Sequence, residues 1–189
     1  MIEVEIRGRL DEEGYEGLKR KLAEKGEFLG HMEREMHLMR GYPGYEHSFT
    51  GRETDIRLRN TNGECEIMVK RKAGEHNVGR EEISLKLQDG DLDKAKRVMK
   101  ALGFSKTLRM ERIMDKYRMN GTEWQVVATP KGLWYWEAEL EVENEGQVPG
   151  AREKLERQTA ELGLKVLSPR ELQEFIDTLD REGNVEIEL

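Results

Sequence analysis

Cysteine is nearly absent from this 189-residue chain. Cys65 stands alone, so no internal disulfide can form, and a reducing, cytoplasmic setting is the expectation. Proline occurs four times and aromatic residues make up 6% of the chain, so it has no proline-rich or aromatic-rich low-complexity tract. Its longest apolar runs fall far below the roughly 18 residues of a spanning helix, so no membrane partner is expected. The start, Met1-Ile2-Glu3-Val4-Glu5, has neither a basic region nor an apolar stretch, and no signal peptide is read there. His31, His37, His47 and His76 lack zinc-ligand spacing, and no Ser- or Cys-His nucleophile pattern accompanies them. The Gly-rich stretch 41–51 lacks the Gly-Lys-Ser/Thr ending of a phosphate loop and reads as a long loop or lid.

Charge is what the chain has in quantity: 38% charged residues against 36% apolar, with a net charge of −7. That balance argues against non-specific nucleic-acid binding, which needs Lys and Arg to meet phosphates. Low apolar content can signal disorder, but here the charges sit inside periodic segments. Period-2 alternation predicts strands over 2–9, about 33–39, 54–59, 64–72, 79–87, 107–119, 122–128 and 133–143. Helices are predicted from Asp11 to Gly26, from Asp91 to Gly103, from Pro149 to Gly163, and over 168–180 behind the Ser168-Pro169 start signal. The tail 181–189 is assigned no element. Grouped strands without alternating helices predict an α+β domain spanning 1–189, with helix 168–180 as an appendage able to pack on the sheet or support a homodimer.

The signs of the charges segregate by strand. Glu3 and Glu5 share a face of the first strand, followed by Arg7, and Glu137, Glu139 and Glu141 share a face of the last long one. Between them, Arg57 with Arg59, Lys70 with Lys72, and Arg112 with Lys116 and Arg118 each share a parity, as do Arg80 and Glu82. A solvated face intersperses signs, because like charges at i and i+2 repel without gain. Acidic strands suit hard divalent cations and basic strands suit phosphates, so a metal with a polyphosphate satisfies both. Eight antiparallel strands can close into a β-barrel holding one small ligand, here a tunnel with a charged lumen and helices packed outside. Trp124, Trp134 and Trp136 read as core or wall packing, and Met32, Met36 and Met39 as plain packing.

These residues resemble the CYTH superfamily, the triphosphate tunnel metalloenzymes. Glu3-Val4-Glu5-Ile6-Arg7 is similar to the ExExK signature, with Arg7 in place of Lys. Ile56-Arg57-Leu58-Arg59 resembles the LRxR strand, Met68-Val69-Lys70 the strand with an inward Lys, and Arg80-Glu81-Glu82 the RxE strand. Arg112 falls where a later basic residue is expected, and Tyr135-Trp136-Glu137-Ala138-Glu139 resembles the FxExE strand. No match is found to the family's early Gln-x-Asp strand, and Val126-Val127-Ala128-Thr129 lacks the Asp that often precedes the last ExE strand. The resemblance implies an eight-stranded antiparallel tunnel in which Glu residues hold Mg²⁺ or Mn²⁺. It implies metal ligands among Glu3, Glu5, Glu82, Glu137, Glu139 and Glu141, and catalytic roles for Glu3, Glu5, Arg7 and Lys70. Arg57, Arg59, Lys70, Lys72, Arg80, Arg112, Lys116 and Arg118 would grip the substrate. The expected activity is hydrolysis of a linear triphosphate (inorganic, nucleoside or thiamine). Class IV adenylyl cyclase and a non-catalytic polyphosphate- or nucleotide-binding module are the alternatives.

Overall fold

The computed structural model describes residues 1–42, 53–73, 79–88 and 90–189. Most of the stretch read as a lid, 43–51, lies outside the described residues. In chain order the elements are β1 Ile2–Leu10, α1 Glu12–Lys25, β2 Glu27–Arg40, β3 Thr54–Thr61, β4 Glu64–Ala73, β5 Gly79–Lys86 and α2 Leu92–Ala101. They continue with β6 Lys106–Met119, β7 Thr122–Ala128, β8 Trp134–Val142, α3 Val148–Glu161, α4 Pro169–Thr178 and β9 Val185–Glu188.

Local chemistry sets these boundaries. Asp11 accepts from the Gly14 amide at 2.8 Å and Asp91 from that of Lys94 at 2.8 Å, capping α1 and α2. Ser168 and Glu171 form a reciprocal capping box with Pro169 at the first helical position of α4. The β3–β4 and β6–β7 hairpins turn on Asn62-Gly63 (φ 51° and 90°) and Asn120-Gly121 (φ 52° and 73°). Both central residues of such two-residue turns need positive φ, which Asn and Gly tolerate. The first hairpin is tight enough that β3 runs to Thr61, past the Asn60-Thr61 expected to break it.

All pairings are antiparallel, in the order β2-β3-β4-β5-β1-β8-β7-β6, and β2 pairs back onto β6 to close a ring of eight strands. The closing seam joins the two longest strands, from Glu27 opposite Arg118 to Arg40 opposite Lys106, with a register shift at Phe28/Gly30. That irregularity explains why β2 begins well before residue 33: Gly26 and Gly30 hide the alternation of 27–32. The tail adds β9, which pairs with β6 from Lys106 to Arg109.

Apolar residues of alternate parity face outward under the helices. Val4, Ile6, Trp124, Val126, Trp136 and Ala138 pack with Leu18 and Leu22 of α1 and Leu155 of α3. Trp124 and Trp136 are fully buried, their rings 5.8 Å apart, as wall packing requires. Each such buried Leu or Val contributes roughly 1.5–3 kcal/mol. Ala95 and Met99 of α2 cover Met39 and Leu58 on the far side. α4 differs from the other three: Phe175 stacks edge-on against Tyr135 and clusters with Met114, Val127 and Leu179. Met114, Val127 and Tyr135 point into the ring, so α4 lies across one end of it.

His37 sits beneath α2, fully buried, with Nε2 2.7 Å from Glu35 Oε1 and Nδ1 without a partner among the described residues. Arg109 of β6 (3.2 Å) and Lys96 of α2 (3.7 Å) also face Glu35. Burial, together with Lys96 and Arg109, outweighs Glu35 and holds the imidazole pKa below its ordinary 6.5. The unfolded chain therefore takes up this proton first, and the stability is full above that pH and falls as pH drops through it. We expect the melting temperature of the wild type to fall more than that of His37→Gln between about pH 7.5 and about pH 5.5. Parallel curves would show that His37 carries no such linkage.

Candidate functional site

The strand period of two sends every second residue into the ring. Along β1 these are Glu3, Glu5 and Arg7, and along β8 Tyr135, Glu137, Glu139 and Glu141. Register sets Glu3 opposite Glu141, Glu5 opposite Glu139 and Arg7 opposite Glu137. The resulting cavity of about 560 Å³ lies within the range of small-molecule sites. Among the described residues, as many cations as carboxylates line it, so the lumen is close to neutral although its walls are charged.

On the acidic side, Glu3, Glu5 and Glu139 each offer a carboxylate oxygen within 4.8 Å of the others. Burial and the neighbouring Glu3, Glu5 and Glu137 push the Glu139 carboxyl well above its usual range. Glu139 has no ion pair among the described residues, and the attraction of Lys70 is too weak to offset that repulsion. Glu137 is pushed up by burial, against the attraction of Arg7 at 3.0 Å. For Glu5 burial acts upward too, but Arg7, Lys70 and Arg57 together outweigh it and hold the carboxyl low. Arg7 bridges Glu5 and Glu137, and those partners overcome burial to keep its guanidinium firmly charged. A crowded oxygen cluster with excess negative charge fits a hard divalent cation such as Mg²⁺ or Mn²⁺.

The cations face it from β3 and β4. Lys70 is 8% exposed, 2.7 Å from Glu3 and 3.0 Å from Glu82, and despite burial these carboxylates raise its pKa. Arg59 reaches Glu66 and, at 3.5 Å, Glu82. Arg57 pairs with Asp55 at 2.7 Å and touches Met36. Among the described residues, Arg34 of β2 has only Thr61 as a hydrogen-bond partner, at 3.1 Å, and burial and Arg59 lower its pKa. Arg34, Arg57, Arg59 and Lys70 thus form a partly compensated positive wall, suited to an anion with several oxygens.

The sequence-predicted residues separate by position. Glu3, Glu5, Arg7, Arg57, Arg59, Lys70, Glu82, Glu137 and Glu139 gather in the lumen. Glu82 bridges Lys70 and Arg59 rather than joining the carboxylate cluster. Lys116 pairs with Glu123, and the half-exposed Arg118 reaches Glu123 at 3.0 Å, while Glu141 is exposed. Arg112 lies deeper, next to α4, with hydrogen bonds to Tyr135, Asn184 and the Glu111 carbonyl. The side chains of Lys72 and Arg80 fall outside those described. Sequence reasoning missed Arg34, Glu123, Gln125, Tyr135, Asp180 and Asn184, all on the cavity wall. The parity of Arg34-Met36-Leu38, and of Glu123-Gln125 against Trp124-Val126, carried a signal for the first three. Met36, read as packing, lines the lumen. Nothing in the tail's composition marked Asn184.

No family model matches this chain, and no curated protein matches it. Solved structures do. A Pyrococcus horikoshii protein superposes with a TM-score of 0.76 and 26% identity, covering 93% of this chain and 99% of its own. A candidate adenylate cyclase of Vibrio parahaemolyticus gives 0.64 and 15%, over 87% and 90%. A candidate adenylyl cyclase from Hippeastrum, described as having a dominant triphosphatase activity, gives 0.55 and 16%, over 87% and 89%. The ring of eight antiparallel strands with its charged lumen is thus the tunnel fold of the CYTH-type proteins among which these adenylate cyclase-like structures fall.

Proposed function

We propose that this chain is a divalent-metal-dependent hydrolase of linear triphosphates. The observation that carries this reading is the Glu3–Glu5–Glu139 cluster facing Lys70, Arg57, Arg59 and Arg34 across one lumen. Glu3, Glu5 and Glu139 would hold Mg²⁺ or Mn²⁺, with Glu137 beside them. When bound, such an ion would supply Lewis-acid stabilisation of phosphoryl charge and activation of a water nucleophile.

The chain's own residues do the rest by exchange of partners. Lys70 holds Glu3 and Glu82 in the ligand-free tunnel; phosphoryl oxygens replace those carboxylates around its ammonium and leave Glu3 available to the cation cluster. Arg57, Arg59 and Arg34 grip further oxygens and offset charge as the phosphoanhydride breaks. Arg7 and Lys70 both stay protonated, so neither acts as an amine base. A tunnel of this fold carries dominant triphosphatase activity in the Hippeastrum protein, which favours hydrolysis over cyclisation.

Phosphate or pyrophosphate release from tripolyphosphate and ATP, with Mg²⁺ or Mn²⁺ against an EDTA control, tests the reading. Cyclic AMP as the product would replace it with a cyclase, and tight binding without product would reduce the chain to a binding module. The double variant Glu3→Ala/Glu5→Ala should fold and lose metal-dependent turnover, whereas Lys70→Ala should lower kcat/KM by about 100-fold. Full turnover in the double variant would remove both glutamates from the metal site. Glu139→Gln relieves like-charge crowding, so its metal-free form should melt higher than the wild type at neutral pH. The same variant should lose the stabilisation that Mg²⁺ or Mn²⁺ gives the wild type, and an undiminished metal-induced shift would exclude Glu139 as a ligand.

A further inference from the structure

At the end of the tunnel closed by α4, three buried polar side chains meet. Tyr135 is 5% exposed, Arg112 6% and Asn184 6%. Arg112 Nε donates to the Tyr135 hydroxyl at 3.0 Å, Nη2 donates to Asn184 Oδ1 at 2.9 Å, and Nη1 donates to the Glu111 carbonyl at 2.8 Å. Asn184 Nδ2 donates in turn to Asp180 Oδ1 at 2.9 Å, and Asp180 Oδ2 is held by Arg40 at 2.9 Å. This chain of contacts fixes the amide of Asn184, since only its oxygen can accept from Arg112.

The donor and acceptor inventory is lopsided. The Tyr135 oxygen accepts from Arg112, so its proton points elsewhere, and among the described residues it donates no hydrogen bond. Each terminal nitrogen of Arg112 keeps one further N–H, and so does the Asn184 amide. Around them the side chains of Val127, Leu179 and Ile176 offer no acceptor atom, and that of Met114 only a weakly accepting thioether sulfur. Buried donors without acceptors are costly, and a group rich in acceptor oxygens is what removes the cost.

We propose that Tyr135 and Asn184, oriented by Arg112, form a second anion-binding station at the floor of the tunnel, which receives the far phosphoryl group of a linear triphosphate. The station rests on the triphosphate reading above and adds to it a direction: the chain of phosphates runs from the carboxylate cluster toward α4. Asn184 lies between the π-helical turn Leu179–Gly183 and β9, so the C-terminal segment supplies part of the binding surface as well as closing the ring's end. Asp180 points one oxygen toward Arg40, which it shares with Glu186, and its other oxygen accepts from Asn184. Tyr135 is also where this chain departs from the Phe of the FxExE pattern, and its hydroxyl is the added donor.

The test is equilibrium binding of tripolyphosphate and of pyrophosphate to the full chain by calorimetry, in Mg²⁺ and in EDTA, for the wild type, Tyr135→Phe and Asn184→Asp. The first variant deletes the hydroxyl donor but leaves Arg112 short of one acceptor, so its melting temperature is recorded alongside. The second keeps an acceptor for Arg112 while replacing a donor with a negative charge. Both variants should weaken tripolyphosphate binding roughly tenfold or more. Pyrophosphate, too short to occupy both stations, should change by less than about twofold. Equal losses for both ligands, no loss for either, or a wild type that binds tripolyphosphate no tighter than pyrophosphate would overturn the station. A wild type that binds neither ligand removes the triphosphate reading and the station together. The expected pattern without any turnover removes the hydrolase and leaves the station in place.

Discussion

The structure depends on mutual neutralisation across the lumen. A ring whose inward faces carry Glu3, Glu5, Arg7, Arg57, Arg59, Lys70 and Glu137 tolerates that lining because these charges find partners, with Glu139 left as the unpaired carboxylate among the described residues. Partly buried ion pairs stand near break-even once desolvation is counted, so they hold the ring without adding much to its stability. Stability comes from the other parity, where Val4, Ile6, Trp124 and Trp136 pack beneath α1 and α3. Division of labour between the two faces of each strand lets a chain with so many charges keep a dry core. It also leaves the lumen pairs free to exchange partners at modest cost, as the proposed chemistry requires.

Much of this was legible in the sequence because the strand period is rigid. Once Ile2, Val4 and Ile6 face one way, Glu3, Glu5 and Arg7 must face the other, and the same logic places Arg57, Arg59 and Lys70. Asp11, Asp91 and Ser168-Pro169 announce their helices through local hydrogen bonds that need no tertiary context. What stayed hidden depended on long-range register. The beginning of β2 is masked by Gly26, Gly30 and a local irregularity, and β9 is too short and acidic to read as a strand before its partner β6 is known. The roles of Arg112 and Asn184 follow from a tail that folds back across 72 positions of sequence to reach the ring. Parity alone likewise could not show that Arg118 and Glu141 would sit near the rim, with Glu3 and Glu5 deeper in the cavity.

α4 gives the tunnel its polarity. The other helices cover the outside wall, whereas Phe175 and Leu179 pack against inward-facing Met114, Val127 and Tyr135. One end therefore meets apolar side chains and a few polar groups with donors to spare, and the other is framed by Glu123, Arg118 and Glu141. A linear ligand in such a space has two distinguishable ends. The apolar surroundings near Arg112 also lower the local dielectric, which strengthens any contact made there.

The near-neutral lumen has a kinetic corollary. Because the described lining residues balance, the net charge of −7 falls on the remainder of the chain, and a free polyanion diffusing toward the tunnel would meet a repelling field. A polyphosphate that already carries its divalent cation presents less charge to that field and approaches faster. Ionic strength then acts unequally on the two forms: added salt screens the repulsion that slows the bare anion and has less to relieve for the complexed one. Under the proposed function, the exterior would favour pre-assembled ion–phosphate complexes over the bare anion before any side chain in the lumen touches them.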